Sequence, residues 1–179
     1  MRLRLLNRTA RGIARAVEEW EPDVGVGFLL EDRSETTVSV VQRSPLVLVA
    51  RRDNVAATKR RVSVEEILAG PIVHFEEGVE LRRHLEHALV RAGSLEPVIE
   101  LPSIESILEF VDYGFGRSIL PAFAISPHWR KRLVISGLGR SIAPLEIRSC
   151  AHVRLSSSRA AEAFLDLLRP PVNAAGKKQ

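Results

Sequence analysis

The sequence predicts an α/β protein, and three observations carry that reading. Near the start, "LRLL", a helix-period stretch and "DVGVGFL" follow one another as strand, helix and strand, the unit that favours a parallel sheet. Short β-branched runs then alternate with amphipathic helical stretches to the end of the chain. The 179 residues are 45% hydrophobic, enough to bury a core in one domain or in two small lobes.

Each element has a local cause. Thr9 is set to cap a first helix whose Ile13, Ala14 and Val17 share a face, and Trp20, Glu21 and Pro22 break it. The glycines of "DVGVGFL" allow close backbone approach in a buried strand. After a polar stretch from Glu31 to Thr37, "TVSVV" and "LVLVA" are two strands separated by Gln42, Arg43, Ser44 and Pro45. Ser63 and Glu66 form an S-x-x-E capping box for a short helix through Leu68, which Gly70 and Pro71 stop. "IVHF" is the next strand. Leu81, Leu85, Ala88, Leu89 and Ala92 then mark an amphipathic helix ended by Gly93. "PVIEL" returns as a strand, and Ser103 caps a helix that turns Ile104, Ile107, Leu108 and Val111 inward before Gly114. "RSILP", "RLVIS" and "LEIRSCAHVRL" are the remaining strands. A last helix, capped around Ser157, places Ala161, Phe164, Leu165 and Leu168 on one face, and "VNAAGKKQ" is read as a frayed tail.

Composition narrows the function. Cys150 is the single cysteine, so neither an intrachain disulfide nor a multi-cysteine zinc site is available, and it reads as a small core residue. No apolar run reaches the roughly 18 to 20 residues of a membrane span. "MRLRLLNRTARG" lacks the uninterrupted apolar segment of a signal peptide, so a cytoplasmic protein without membrane contact is expected. The net charge of +4 rests partly on two short clusters, Lys59, Arg60, Arg61 and Arg130, Lys131, Arg132. They are separate and lack interleaved aromatics, and they read as solvated surface rather than a nucleic-acid track.

There is no G-x-S-x-G elbow, Walker loop or G-x-G-x-x-G, and the glycines of "YGFGRS" end a helix rather than open one. His84 and His87, with Glu80 nearby, have no evident third metal ligand and read as surface residues, and Glu105 and Glu109 as solvated carboxylates. His128 and His152 have no partner that the sequence identifies. No cofactor and no metal are expected.

In open α/β sheets, ligands bind beyond the carboxyl ends of strands, where helix N-termini offer unpaired N–H groups. The strand-to-helix junctions here are Asn7, Arg8 and Thr9; His74 to Gly78; and Pro102, Ser103 and Ile104. Thr9 and Ser103 serve as helix caps, as ligand contacts, or as both. Arg8 is either a partner for an anionic ligand or a solvated arginine. Phe75 is a core or ligand-wall residue, and Glu76 and Glu77 either favour a polyol or cationic ligand or face solvent.

The order of several stretches resembles the LysR-type transcriptional regulators. These are "RTARGIARAVEEWEPDVGVGF", "PLVLVARRDNVAA", "VSVEEILAGPIVHF", "GVELRRHLEHALVRAGSLEPVIELPSIESILEFVDYGFGRSILPAFAI" and "RLSSSRAAEAFLDLLR", which together cover about residues 7 to 169. The resemblance implies a type 2 periplasmic-binding-protein-like fold, two α/β lobes joined by two crossing strands. Lobe I is then 1–46 with 154–169, lobe II is 47–153, and 170–179 is a disordered tail. It implies a small-molecule effector in the inter-lobe cleft, held by Arg8, Thr9, His74, Phe75, Glu76, Ser103, Ile104, Pro121 and Phe123. It also implies a homodimer or higher oligomer that meets DNA only through a helix-turn-helix domain not found in this sequence. In the family a further strand and helix precede the segment that opens here with "LRLLNRTARG". Lobe I is therefore expected to be incomplete and less stable than lobe II. An α/β enzyme acting on a small anionic substrate in the same cleft is the alternative reading.

Overall fold

A computed structural model describes residues 4–28, 31–53, 61–89, 96–138, 142–154 and 159–168. The expected cap at Ser157, the helix end at Ala92 and Gly93, the basic residues Lys59 and Arg60, and the tail 170–179 lie outside the described residues. The chain divides into two compact units, 1–43 with 146–179, and 44–145.

In the first unit, α1 (Ala10–Glu18) begins at Thr9, whose Oγ1 accepts the Gly12 N–H at 3.3 Å. Its buried stripe of Ala14 and Val17 meets β1 (Val24–Phe28) and packs with Cys150. The strands β1, β9 (Leu145–His152) and β2 (Thr36–Ser44) form a three-stranded sheet with β9 central. β1 pairs antiparallel with β9, with Val24 opposite Ala151 and Val26 opposite Ser149. Gly25 has a packing cause, since a Cβ there would stand 2.2 Å from Ile13 Cγ2. Burial pushes the Cys150 thiol pKa up, as fits a core residue.

The first unit departs from expectation at "LRLL". Arg4, Leu5 and Leu6 are not in a strand, and Leu5 is 80% exposed. A strand exists only where a neighbour completes its ladder, and no described segment pairs with these residues. The last helix, α6 (Arg159–Leu168), buries Ala161 and half-buries Phe164, Leu165 and Leu168.

The second unit holds a six-stranded sheet built from β3 (Leu46–Arg51), β4 (Arg61–Val62), β5 (Ile72–Phe75), β6 (Pro97–Leu101), β7 (Arg117–Pro121) and β8 (Leu133–Leu138). Its order is β4-β8-β3-β7-β5-β6. β5 runs parallel to both β6 and β7, while β3 is antiparallel to β7 and β8. Leu48, Val49, Ile119 and Leu120 sit at the centre, almost fully buried. Each such leucine or isoleucine contributes about 2 kcal/mol of burial. Strand β2 runs on through Gln42, Arg43 and Ser44, where the sequence suggested a break, and only Pro45 separates it from β3.

Helix α2 (Val64–Leu68) carries the full capping box, with Glu66 N–H on Ser63 Oγ and Ser63 N–H on Glu66 Oε2. Helix α4 (Ile104–Asp112) packs across β3, β5 and β7. It ends in a Schellman turn: Gly114 adopts φ +91°, its N–H bonds Val111, and the Phe115 N–H reaches back to Phe110. The Phe110 and Phe115 rings pack at 5.2 Å, the apolar contact that accompanies this turn. A short helix, α5 (Pro127–Arg132), and a 3₁₀ turn at Ala122–Ala124 were not foreseen. Among the described residues no helix is long and apolar enough to cross a membrane.

Candidate functional site

Because β5, β6 and β7 are adjacent and parallel, their carboxyl ends fall on one edge of the second unit's sheet. That edge brings together Phe75 and Glu76 after β5, Ser103 and Ile104 after β6, and Pro121 and Phe123 after β7. β3 runs antiparallel to β7, with Leu46 opposite Pro121, so the chain at Ser44 and Pro45 arrives at the same edge. Arg8 and Thr9 belong to the first unit.

Ser103 is exposed, and its Oγ accepts the Ser106 N–H at 3.2 Å and meets Ser106 Oγ at 2.8 Å. Two hydroxyls therefore stand at the N-terminus of α4, where the helix dipole favours negative charge. Ile104 is half-buried, and Phe75 and Pro121 are buried. Phe123 is 44% exposed. The Glu76 N–H donates to the Leu101 carbonyl at 3.0 Å, which joins the ends of β5 and β6.

His74 is enclosed, 1% exposed, and its Nε2 has no hydrogen-bond partner among the described residues. Burial, with the nearby Arg82 charge, lowers its pKa to about 4, so the ring is neutral near pH 7. It lies among Arg82, Glu86 and Glu100, the charges that act on it. In the first unit Arg8 is already paired, its Nη2 on Glu21 Oε1 at 2.9 Å, and Thr9 is committed to capping α1.

Residues the sequence reading missed hold this edge in shape. Arg82, on α3 (Glu80–Leu89), donates from Nη1 to the Phe75 carbonyl at 2.9 Å and to Glu100 at 2.7 Å. Its Nε bonds Glu86 at 2.7 Å. The i,i+4 spacing of Arg82 and Glu86 was the visible signal. Ser44, buried, accepts the Phe123 N–H at 3.3 Å, and Pro45 accepts from Ala122 at 2.9 Å. Arg130 closes the same turn with bonds to the Ala122 and Ile125 carbonyls. A residue read as solvated basic surface is thus a brace for the segment that carries Phe123. Arg132 likewise pairs with Asp112.

One histidine differs from expectation, and another has partners that the sequence did not identify. His84, read as surface, is half-buried beside the buried stripe of Leu81 and Leu85; burial, with His87 nearby, lowers its pKa. His152 has partners in the first unit: Nε2 lies 3.4 Å from Glu35, Nδ1 accepts the Arg154 N–H at 3.2 Å, and Trp20 stacks on the ring at 4.0 Å. Trp20 itself has φ +58°.

A six-stranded sheet whose parallel strand ends share one edge with the hydroxyl-bearing N-terminus of α4 has the form of a ligand-binding α/β domain. The chain belongs to the LysR substrate binding domain family, whose pattern it matches over residues 1–171. It is 30% identical over 116 residues to the HTH-type transcriptional regulator YofA of Bacillus velezensis, a match covering 64% of this chain and 40% of that protein. The chain thus spans about two-fifths of that relative. Among solved structures it is similar to the cofactor-binding domain of the Cbl transcriptional regulator, with TM-score 0.78 and 17% identity over 97% of this chain and 75% of that one. It is also similar to the regulatory domain of CcmR from Synechocystis PCC6803 in complex with 2-PG, with TM-score 0.72 and 21% identity over 88% and 76% of the two chains. These likenesses show the type 2 periplasmic-binding-protein-like fold expected from the sequence.

Proposed function

We propose that the chain senses a small-molecule effector for a LysR-type regulator, and that the effector docks on the shared strand-end edge of the second unit. The observation that carries this is the convergence there of Phe75, Glu76, Ser103, Ile104, Pro121 and Phe123, braced by Arg82, Ser44 and Arg130. The Ser103 hydroxyl and the first amides of α4 suit a carboxylate or phosphate oxygen, while Ser106 Oγ donates to the Ser103 carbonyl at 2.9 Å and Phe123 offers an apolar wall. His74 shapes the edge from beneath rather than touching the ligand, because it is enclosed. The relatives support the reading: one is a transcriptional regulator, and a regulatory domain of the same fold holds 2-PG.

Signalling follows if the effector binds one conformation more tightly than another, since only differential affinity shifts a population. We place the regulated DNA contact in a helix-turn-helix domain and the working form in a homodimer or higher oligomer. The enzyme alternative needs a nucleophile with a base beside it. At this edge Ser103 bonds Ser106, and His74 is enclosed among charged groups of α3 and β6. The regulator reading is therefore preferred.

Calorimetric titration with 2-PG and other small organic anions tests the assignment. Ser103→Ala should weaken the anion that binds best by roughly tenfold, equivalent to about 1.4 kcal/mol. Undiminished affinity in this variant would overturn the site.

A further inference from the structure

The second unit carries a charged and aromatic patch at the end of its sheet opposite the effector edge. Strand β3 ends there at Arg51, across from Leu133 at the start of β8, and α4 ends there at its cap residue Tyr113. A Cβ on Gly114 would stand 2.7 Å from Arg51 Nη1, so that guanidinium lies against the turn that closes α4. Arg51 also forks onto Asp53, with Nε 2.8 Å from Oδ1. Arg132 pairs with Asp112 and stands 6.0 Å from the centre of the Trp129 ring. Arg52 reaches from the end of β3 to the Lys131 carbonyl at 2.7 Å.

The fold accounts for only part of this patch. Arg51 and Arg132 neutralise Asp53 and Asp112 and stand at the carboxyl end of α4, where the helix dipole favours cations. Arg52 and Lys131 are exposed and make no ion pair among the described residues. Tyr113 and Phe115, on either side of Gly114 in the chain, are 70% and 53% exposed.

We propose that this patch docks an acidic segment of a partner protein, one that interleaves aspartate or glutamate with aromatic or leucine side chains. The partner's carboxylates pair with Arg52 and Lys131, and its apolar side chains cover Tyr113 and Phe115. Charge complementarity selects an acidic partner, because four cations here meet only two carboxylates. The same two carboxylates select a polypeptide over a nucleic acid. Asp53 and Asp112 stand within the patch and repel a continuous line of phosphates, whereas a polypeptide sets its negative charges only where cations meet them. The arginine forks here already hold carboxylates, at Asp53 and at Asp112. Exposed aromatic rings beside arginines are also the groups that carry most of the energy in protein interfaces.

The test uses the whole chain and a fluorescein-labelled peptide of repeated Asp-Phe-Glu-Leu. One control peptide replaces its acids with asparagine and glutamine, and another replaces its apolar residues with serine. Anisotropy should show saturable binding of the first peptide, roughly tenfold weaker for either control and weakened by added salt. Lys131→Glu and Tyr113→Ser, both at exposed positions, should each weaken it roughly fivefold while thermal unfolding of the chain is unchanged. Arg52→Glu should act in the same direction. Absence of saturable binding, equal binding of the acid-free peptide, or undiminished binding to both Lys131→Glu and Tyr113→Ser would overturn the proposal. So would a DNA oligonucleotide that binds these residues more tightly than the peptide, because phosphate would then be the occupant. A chain dimer that Lys131→Glu dissolves and the peptide does not would also overturn it, because a second copy would then cover the patch.

Discussion

The guanidinium of Arg117 occupies the space that a side chain at Gly70 would need. A Cβ on Gly70 would lie 1.7 Å from Arg117 Nη2 and 2.6 Å from its Cζ. Arg117 is 5% exposed, donates from Nη1 to the Glu66 carbonyl at 3.0 Å, and has no partner on Nε among the described residues. It thus satisfies a carbonyl in the last turn of α2 from within the unit, and burial lowers its pKa.

Gly70→Ala should therefore displace Arg117 and break the Glu66 bond, at a cost of about 1–3 kcal/mol in urea unfolding. In an Arg117→Met background, where the guanidinium is gone, the same substitution should cost at least about 0.5 kcal/mol less. Additive effects would show that the two residues are not coupled.

His74 sets a pH dependence. Its pKa is about 4 in the folded chain against 6.5 when unperturbed, so between those values the unfolded chain binds a proton that the folded chain refuses. Stability should fall as pH drops through that window, by up to about 3 kcal/mol, and this contribution should level off below it. His74→Leu removes both the titration and the unpartnered Nε2, so its unfolding free energy should lose that slope. A slope unchanged in the variant would assign the acid sensitivity to other groups.

Gly25→Val should destabilise the first unit by about 1–3 kcal/mol, because the added carbons meet Ile13 and Val17 where α1 lies closest to β1. Ile13→Ala in the same chain should recover part of that loss by opening space. Thermal unfolding that shows no loss for Gly25→Val would contradict the packing described.

Local signals in the sequence survived into the structure. The caps at Thr9, Ser63 and Ser103 were legible because a cap needs only its own next three residues. Features that depend on distant chain were not. Residues 3–6 had strand composition, yet Arg4, Leu5 and Leu6 lack a described neighbour to pair with. Arg117 gave no sign of burial, since nothing beside it in sequence marks the space over Gly70. At the site, the junctions at Phe75, Ser103 and Pro121 were readable as strand ends. Their common edge follows from the parallel pairing of β5, β6 and β7, and the brace at Arg130 from a turn that only the tertiary fold creates.

Docking of a small effector on the strand-end edge of the second unit can be read from amide chemical shifts during titration with the small organic anion that binds best. The largest changes should fall at Glu76, Ser103, Ile104 and Phe123, and Ser103→Ala should reduce them. Changes confined to the opposite end of the sheet, around Arg51, Gly114 and Arg117, with the edge residues still, would contradict it.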